Sequence, residues 1–285
     1  MLYYAAMGRF MTSLRAAAAV SVFAFFPDAF AERAGDWSRG YYAEVSASSY
    51  MFSLGSVRAD QAVWYLEGDV VQRLSSYGHV LLGYWALSDI EKPRNKGRRS
   101  NLYESDPYVF YGYDWEFAQG WRLCNRVGYI LVCETGYDNA RIDTFNEWTY
   151  MGELKSPWLE IFGQTRAVDT LGTYARIGVR RNFALSGDAL SVMPHIAMHG
   201  GSKNWNRRRY GNYVTGRGIG SGLGTVEYGV RFHGPVKWGL GWFVDFCGYD
   251  AVDSRTRTQI RERRNRGSTM KLDAFFLYSG LAWEF

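Results

Sequence analysis

The sequence predicts an all-β fold: a transmembrane, antiparallel up-and-down barrel of about twelve strands, with ten and fourteen as the neighbouring counts. Three observations predict it. Apolar and polar residues alternate with period two in twelve successive segments, the pattern of strands whose two faces meet different solvents. The links between segments are short and long by turns, the asymmetry of a barrel with tight turns on one side of a membrane and loops on the other. Mean hydropathy is only −0.27, yet 17% of residues are aromatic, with 21 Tyr and 11 Trp. Weak hydropathy with abundant Tyr and Trp suits strands that alternate lipid-facing and lumen-facing residues between aromatic girdles. A soluble β-sandwich is the rival, and it has no reason to alternate its link lengths.

The N-terminal segment is expected to be removed. Arg9 and Arg15 precede the apolar run 16–26, and Ala29-Phe30-Ala31 follows as a small-x-small processing site. A charged region, a short apolar region and such a site make a secretory signal peptide over 1–31, with Met7 or Met11 serving equally well as the start. The apolar run is about 11 residues, too short for a bilayer, which needs roughly 20. Residues 32–285 then form one barrel domain.

The strands justify themselves in order. Tyr41, Ala43, Val45 and Ala47 alternate with Tyr42, Glu44, Ser46 and Ser48. Trp64, Leu66, Gly68 and Val70 alternate with Tyr65, Glu67 and Asp69. Val80, Leu82, Tyr84 and Ala86 form a third apolar face. Val109, Tyr111, Tyr113, Trp115 and Phe117 form a fourth, opposite Asp114 and Glu116. Segments 123–132, 145–154, 158–167, 173–183, 190–199, 225–233, 238–249 and 272–285 follow the pattern. An even count returns both ends of the barrel to one side. Links 75–78, 119–120, 155–157, 186–188 and 235–237 are built from turn-forming residues. The others, 88–106, 134–144, 200–222 and 250–270, are long; 168–171 is the one short outer link.

The last segment carries Phe275, Leu277, Ser279, Leu281, Trp283 and Phe285 on one face, with Phe276, Tyr278, Gly280, Ala282 and Glu284 on the other. This aromatic ending resembles the C-terminal signature of bacterial outer-membrane β-barrels. The resemblance implies location in the cell outer membrane, with Phe285 and Trp283 read by the barrel-assembly machinery.

Parity selects the lumen. Glu44, Glu67, Asp69, Asp114 and Glu116 point inward from the first four strands, and Arg166, Arg176 and Arg180 from the seventh and eighth, with Arg126 and Arg231 also inward. Acidic and basic walls facing each other across water would select small polar or charged solutes. The same charges could instead pair and fill a narrow lumen, since buried charges must be paired. Open pore and filled lumen both fit the sequence.

The long loops are basic: Lys92, Arg94, Lys96, Arg98 and Arg99 in one, Lys203, Arg207, Arg208 and Arg209 in the next, and Arg255, Arg257, Arg261, Arg263, Arg264 and Arg266 in the last. They lie on the outer side, where lipopolysaccharide phosphates are available and where Arg makes bidentate contacts. A solvated loop is the plain alternative, and nucleic acid is not an expected partner of a surface barrel.

No catalytic, metal or cofactor set emerges from spacing. His195 and His199 share a face about 13 Å apart along a strand. The stretch 216–224 is glycine-rich, but no Lys-Ser/Thr follows it. Cys124 and Cys133 stand roughly 30 Å apart on one strand, beyond disulfide reach. Cys247 is distant in sequence.

The segment from Trp158 to His199 resembles the porin barrels of the TorF type: Ser156-Pro157-Trp158 before a strand, then Leu171-Gly172-Thr173-Tyr174, then a strand ending Phe183-Ala184-Leu185. The aspartate usual before the Gly-Thr-Tyr loop is replaced, with Arg166 near its place and Asp169 only approximate. The resemblance implies a barrel and a pore and carries over no catalytic residue. The expected protein is therefore a monomeric, non-enzymatic outer-membrane barrel, a passive porin-like channel. The alternatives are a closed structural or adhesive barrel using its basic loops, and a lipid hydrolase active at the rim.

Overall fold

A computed structural model describes residues 40–49, 51–53, 56–59, 62–74, 78–90, 102–135, 142–168, 172–187, 189–210, 220–265 and 271–284. The expected signal segment 1–31, Arg98, Arg99 and Phe285 lie outside the described residues.

The strands are β1 (Tyr41–Ser48), β2 (Met51–Ser53), β3 (Ser56–Ala59), β4 (Val63–Arg73), β5 (Gly78–Asp89), β6 (Leu102–Ala118), β7 (Trp121–Thr135), β8 (Ile142–Lys155), β9 (Leu159–Val168), β10 (Gly172–Arg180), β11 (Phe183–Ser186), β12 (Leu190–Gly201), β13 (Gly222–Pro235), β14 (Leu240–Ala251) and β15 (Asp273–Glu284). Two helices interrupt them, α1 (Lys203–Tyr210) and α2 (Ser254–Arg264).

Each barrel strand pairs antiparallel with its neighbours, β1 pairs with β15, and β10 pairs with β12, so the sheet closes on itself. β11 continues β10: Arg180 faces His195 and Phe183 faces Val192, in step along β12. Counting β10 and β11 as one, the barrel has twelve strands. The small hairpin β2–β3 stands apart in the first outer link. Closure is what a sheet in lipid requires, because an open edge would leave backbone groups without partners. No described helix is long and apolar enough to cross a membrane; the crossing elements are strands.

The period-two pattern sorts the faces as expected. Leu66, Val70, Leu82, Val109, Val127, Ile177, Val179, Ile196, Val230 and Phe246 are exposed on the outside. An apolar belt of this extent around a molecule is a lipid-facing surface rather than a soluble one. Aromatic pairs mark its two borders. At the turn end, Trp115 packs on Phe117 and Trp121 meets Trp158 edge-on at 6.1 Å. At the loop end, Tyr129 meets Trp148 at 5.6 Å and Tyr228 meets Phe275 at 6.1 Å. Phe275 and Trp283 lie on the same face of β15, roughly 27 Å apart along the strand. With a tilt of about 40° that is about 20 Å along the axis, close to the height of an outer-membrane apolar band. Trp283 pairs with Ala43 and Leu240, so it sits at the seam where the first and last strands close the barrel.

The helices were not expected from the sequence. Ser202 caps α1, its Oγ accepting from Trp205 N–H. Asp253 caps α2, its carboxylate accepting from Thr256 N–H at 2.8 Å. Ser and Asp are favoured N-caps, and that signal stood in the sequence. Arg207, Arg208 and Arg209 fall on α1, and Arg263 and Arg264 on α2. The two helices touch each other across the outer mouth.

Candidate functional site

The lumen is where the fold concentrates its polar chemistry, and that chemistry surrounds one apolar cluster packed beneath the helix at the outer mouth. Leu81, Tyr108, Phe110, Ile130, Val132, Met151, Phe162 and Tyr174 turn inward from β5 to β10 and form one buried cluster with Trp205 of α1. Trp205 lies 5.3 Å from Tyr174, and the guanidinium of Arg166 lies 5.5 Å from the Trp205 ring. Asn206 anchors the helix by donating to the carbonyls of Gly201, Gly220 and Gly222. The outer link after β12 thus folds back onto the barrel mouth and inserts an indole.

The polar lining forms two walls, and they differ. On the wall of β1, β4, β6 and β15, hydroxyls surround the carboxylates. Glu44 accepts from Tyr42 and Ser46, each at 2.6 Å, and from Tyr278. Glu67 accepts from Tyr65 at 2.7 Å, and the Tyr108 hydroxyl lies 3.0 Å from both Glu67 and Asp69. Tyr108 reaches them by lying across β5, where Gly83 faces it in register. A Cβ at position 83 would stand 2.3 Å from the Tyr108 ring.

On the wall of β9, β10 and β12 to β14, cations meet the carboxylates. Glu160 is 3.0 Å from Arg176 and 3.1 Å from Arg180. Glu227 is 3.1 Å from His199 and 3.9 Å from Arg176. His199 also meets the Tyr174 hydroxyl at 2.7 Å. Asp245 takes His195 on one oxygen and Arg231 on the other, and Arg231 lies 4.4 Å over the Phe243 ring. Between the walls, Arg126 lies 3.6 Å from Asp114, while Arg166 pairs with Glu147 and Lys155 with Glu153.

Nine of the ten residues assigned to the lumen by parity face inward within the barrel. Glu44, Glu67, Asp69, Arg126 and Arg231 are buried, and the side chains of Asp114, Arg166, Arg176 and Arg180 keep between 11 and 20% exposure. Glu116 has the right parity but lies exposed at the end of β6, where it accepts from Gly120 N–H at 3.2 Å. Arg176 and Arg180 pair with carboxylates on neighbouring or nearby strands of the same wall.

Of the residues that complete this wall, Glu160, Glu227 and Asp245 were not singled out from the sequence, and His195 and His199 were read only as sharing one face of a strand. Their parity could have found them, because each alternates with an outward apolar neighbour. Gln164 and Thr149 add a further feature. Both are wholly buried, and among the described residues neither the Gln164 amide atoms nor the Thr149 hydroxyl has a hydrogen-bond partner. Buried polar atoms of this kind are ordinarily met by water.

All four histidines, His79, His195, His199 and His233, occupy inward positions, so none stands on the lipid face. The three cysteines are free. The TorF-like residues form a turn and a strand start. Ser156 Oγ accepts from Leu159 N–H at 2.9 Å, and Gly172, Thr173 and Tyr174 open β10; Leu171 lies outside the described residues.

No protein-family model matches the chain, and no curated relative does. Solved structures with a similar outline include LpxR from Salmonella typhimurium, with TM-score 0.44 and 9% identity, covering 86% of this chain and 100% of that one. Outer membrane phospholipase A from Escherichia coli gives TM-score 0.42 and 12% identity, over 86% and 92% of the two chains. The KdgM porin gives TM-score 0.42 and 7% identity, over 86% and 99%. Likeness at this level carries no argument about what the chain does.

Proposed function

We propose that this is an outer-membrane barrel closed at rest, a structural or adhesive surface protein whose helical cap meets anionic lipopolysaccharide. The carrying observation is the close packing of the polar lining toward the outer mouth of the lumen. Glu147, Gln164, His199 and Thr225 are at most 1% exposed, and α1 places Trp205 over them from the mouth. A pore for polar solutes needs a continuous wet path, and closely packed side chains leave none. Arg255 and Arg261 are exposed on α2 at the surface, where arginine suits phosphate contacts. Assembly in the outer membrane by the barrel-assembly machinery, as a monomer, belongs to the same proposal.

Planar-bilayer recording of the refolded protein tests it. The wild type is expected to show no single-channel steps. Steady steps at low voltage would sink the closed-barrel reading and restore the passive porin-like channel. That second reading has one observation in its favour, together with the TorF-type resemblance. The turn end of the lumen is partly wet, with the Arg180 side chain 17% exposed.

A further inference from the structure

We propose that His195, Asp245 and Cys247 form a zinc-binding site on the inner wall of the barrel. One ligand atom from each lies within 4.8 Å of the other two. His195 belongs to β12, Asp245 and Cys247 to β14, and β13 runs between them. In register His195 faces Gly229, and Gly229 faces Cys247. A Cβ at position 229 would stand 2.6 Å from His195 Nε2. Glycine therefore makes a hollow over β13 into which the imidazole and the thiol converge.

The spacing and the donor types agree with zinc. His195 Nε2 and Asp245 Oδ1 are 3.1 Å apart. Two ligands each about 2.0–2.1 Å from a tetrahedral ion stand roughly 3.3 Å apart. Nitrogen, carboxylate oxygen and sulfur form a set that zinc accepts and that calcium and magnesium, which take oxygen ligands, do not. Water would take the fourth position.

Arg231 supplies the outer support. It holds Asp245 Oδ2, with Nε at 3.1 Å and a terminal nitrogen at 3.0 Å, leaving Oδ1 directed at the site, as carboxylate ligands are usually held. One thiolate and one carboxylate balance the two charges of the ion. On binding, the Cys247 thiol proton passes to solvent, and His195 carries its remaining proton on Nδ1. Access is from the turn end, where the His195 side chain keeps 9% exposure. The site stands whether the lumen is open or closed.

The test uses the full barrel refolded in detergent, with folding checked by heat-modifiable gel mobility. Dialysis against Zn²⁺ should load one zinc per wild-type barrel. Cys247→Ser and His195→Gln should each bind at least tenfold more weakly, while His79→Gln, on β5, should bind normally. Co²⁺ in the wild type should give a thiolate-to-cobalt charge-transfer band that Cys247→Ser abolishes. If a variant fails to fold, the wild-type cobalt spectrum still decides: stoichiometric cobalt without that band overturns the thiolate site. Absence of stoichiometric zinc in folded wild type, or zinc retained by both site variants, would reduce the cluster to a hydrogen-bonded ion pair.

Discussion

The wall of β1, β4, β6 and β15 and the wall of β9, β10 and β12 to β14 both bury carboxylates, but they meet them with different chemistry. The first uses neutral donors: Tyr42, Tyr65, Tyr108, Tyr278 and Ser46. The second uses the guanidinium groups of Arg176, Arg180 and Arg231 beside the imidazoles of His195 and His199. Each uses an inward glycine so that a ring can cross a strand and reach an acid two strands away. Tyr108 crosses at Gly83, and His195 crosses at Gly229. The difference teaches where removal of one partner hurts most. A lost hydroxyl forfeits one hydrogen bond. A lost cation leaves a buried charge without its counter-charge.

The largest effect should come from Arg231→Ala. It strips Asp245 of a two-point partner inside a buried network, a change that costs roughly 3–5 kcal/mol. Urea unfolding from lipid vesicles, followed by tryptophan fluorescence, reads the loss. A shift below about 1 kcal/mol would mean that the pair is not desolvated and that the second wall is wetter than its geometry.

Next is the face that both walls share with lipid. Leu82 lies behind the first wall and Val179 behind the second, and both are about half exposed on the outside. Leu82→Arg and Val179→Arg should each lose about 2–4 kcal/mol near the midplane. Unequal losses would show that the barrel sits tilted or displaced along its axis. No loss at either position would remove the lipid belt altogether.

Tyr108→Phe should cost less, about 1.5–3 kcal/mol, because it removes one hydroxyl shared by Glu67 and Asp69 and leaves the ring in place. It tests the neutral wall alone. A loss as large as that of Arg231→Ala would mean that the tyrosines carry the acids as fully as the arginines do, and the contrast between the walls would fail.

How much of this was legible in the sequence follows the same physics. Strand order, strand count and the inward parity of Glu67 or Arg176 follow from period two and from turn chemistry, which are local. Trp64, Leu82 and Val109 declare the lipid side because alternate residues must share a face. The pairing of His195 with Asp245 was not legible. It depends on stagger between strands two apart and on the space left by Gly229, and neither is written in the neighbouring residues. The inserted Trp205 was hidden for another reason. Its helix carries Lys203 and Asn204 before the indole and Asn206, Arg207, Arg208 and Arg209 after it, so no apolar stripe announces it. Ser202 and Asp253 were readable as helix caps, but inside long basic loops they read equally as turn residues.

The smallest effect is expected at Glu116, which shares its parity and strand with Asp114. Two residues separate a carboxylate facing Arg126 inside the barrel from one at the exposed end of β6, so the pair measures where the lumen stops. Asp114 has a side chain only 20% exposed and a cation 3.6 Å away. Glu116 is exposed and accepts from the Gly120 amide at 3.2 Å in the tight turn. Water can replace that bond. Glu116→Gln keeps an oxygen acceptor for the amide and removes only a charge that solvent already screens. The expected change in stability is within about 0.5 kcal/mol, as for a surface site. Asp114→Asn should cost measurably more in the same urea titration, because Arg126 is buried and loses its counter-charge. Equal effects at the two positions would move the boundary of the lumen outward past Glu116 and return that residue to the inner wall.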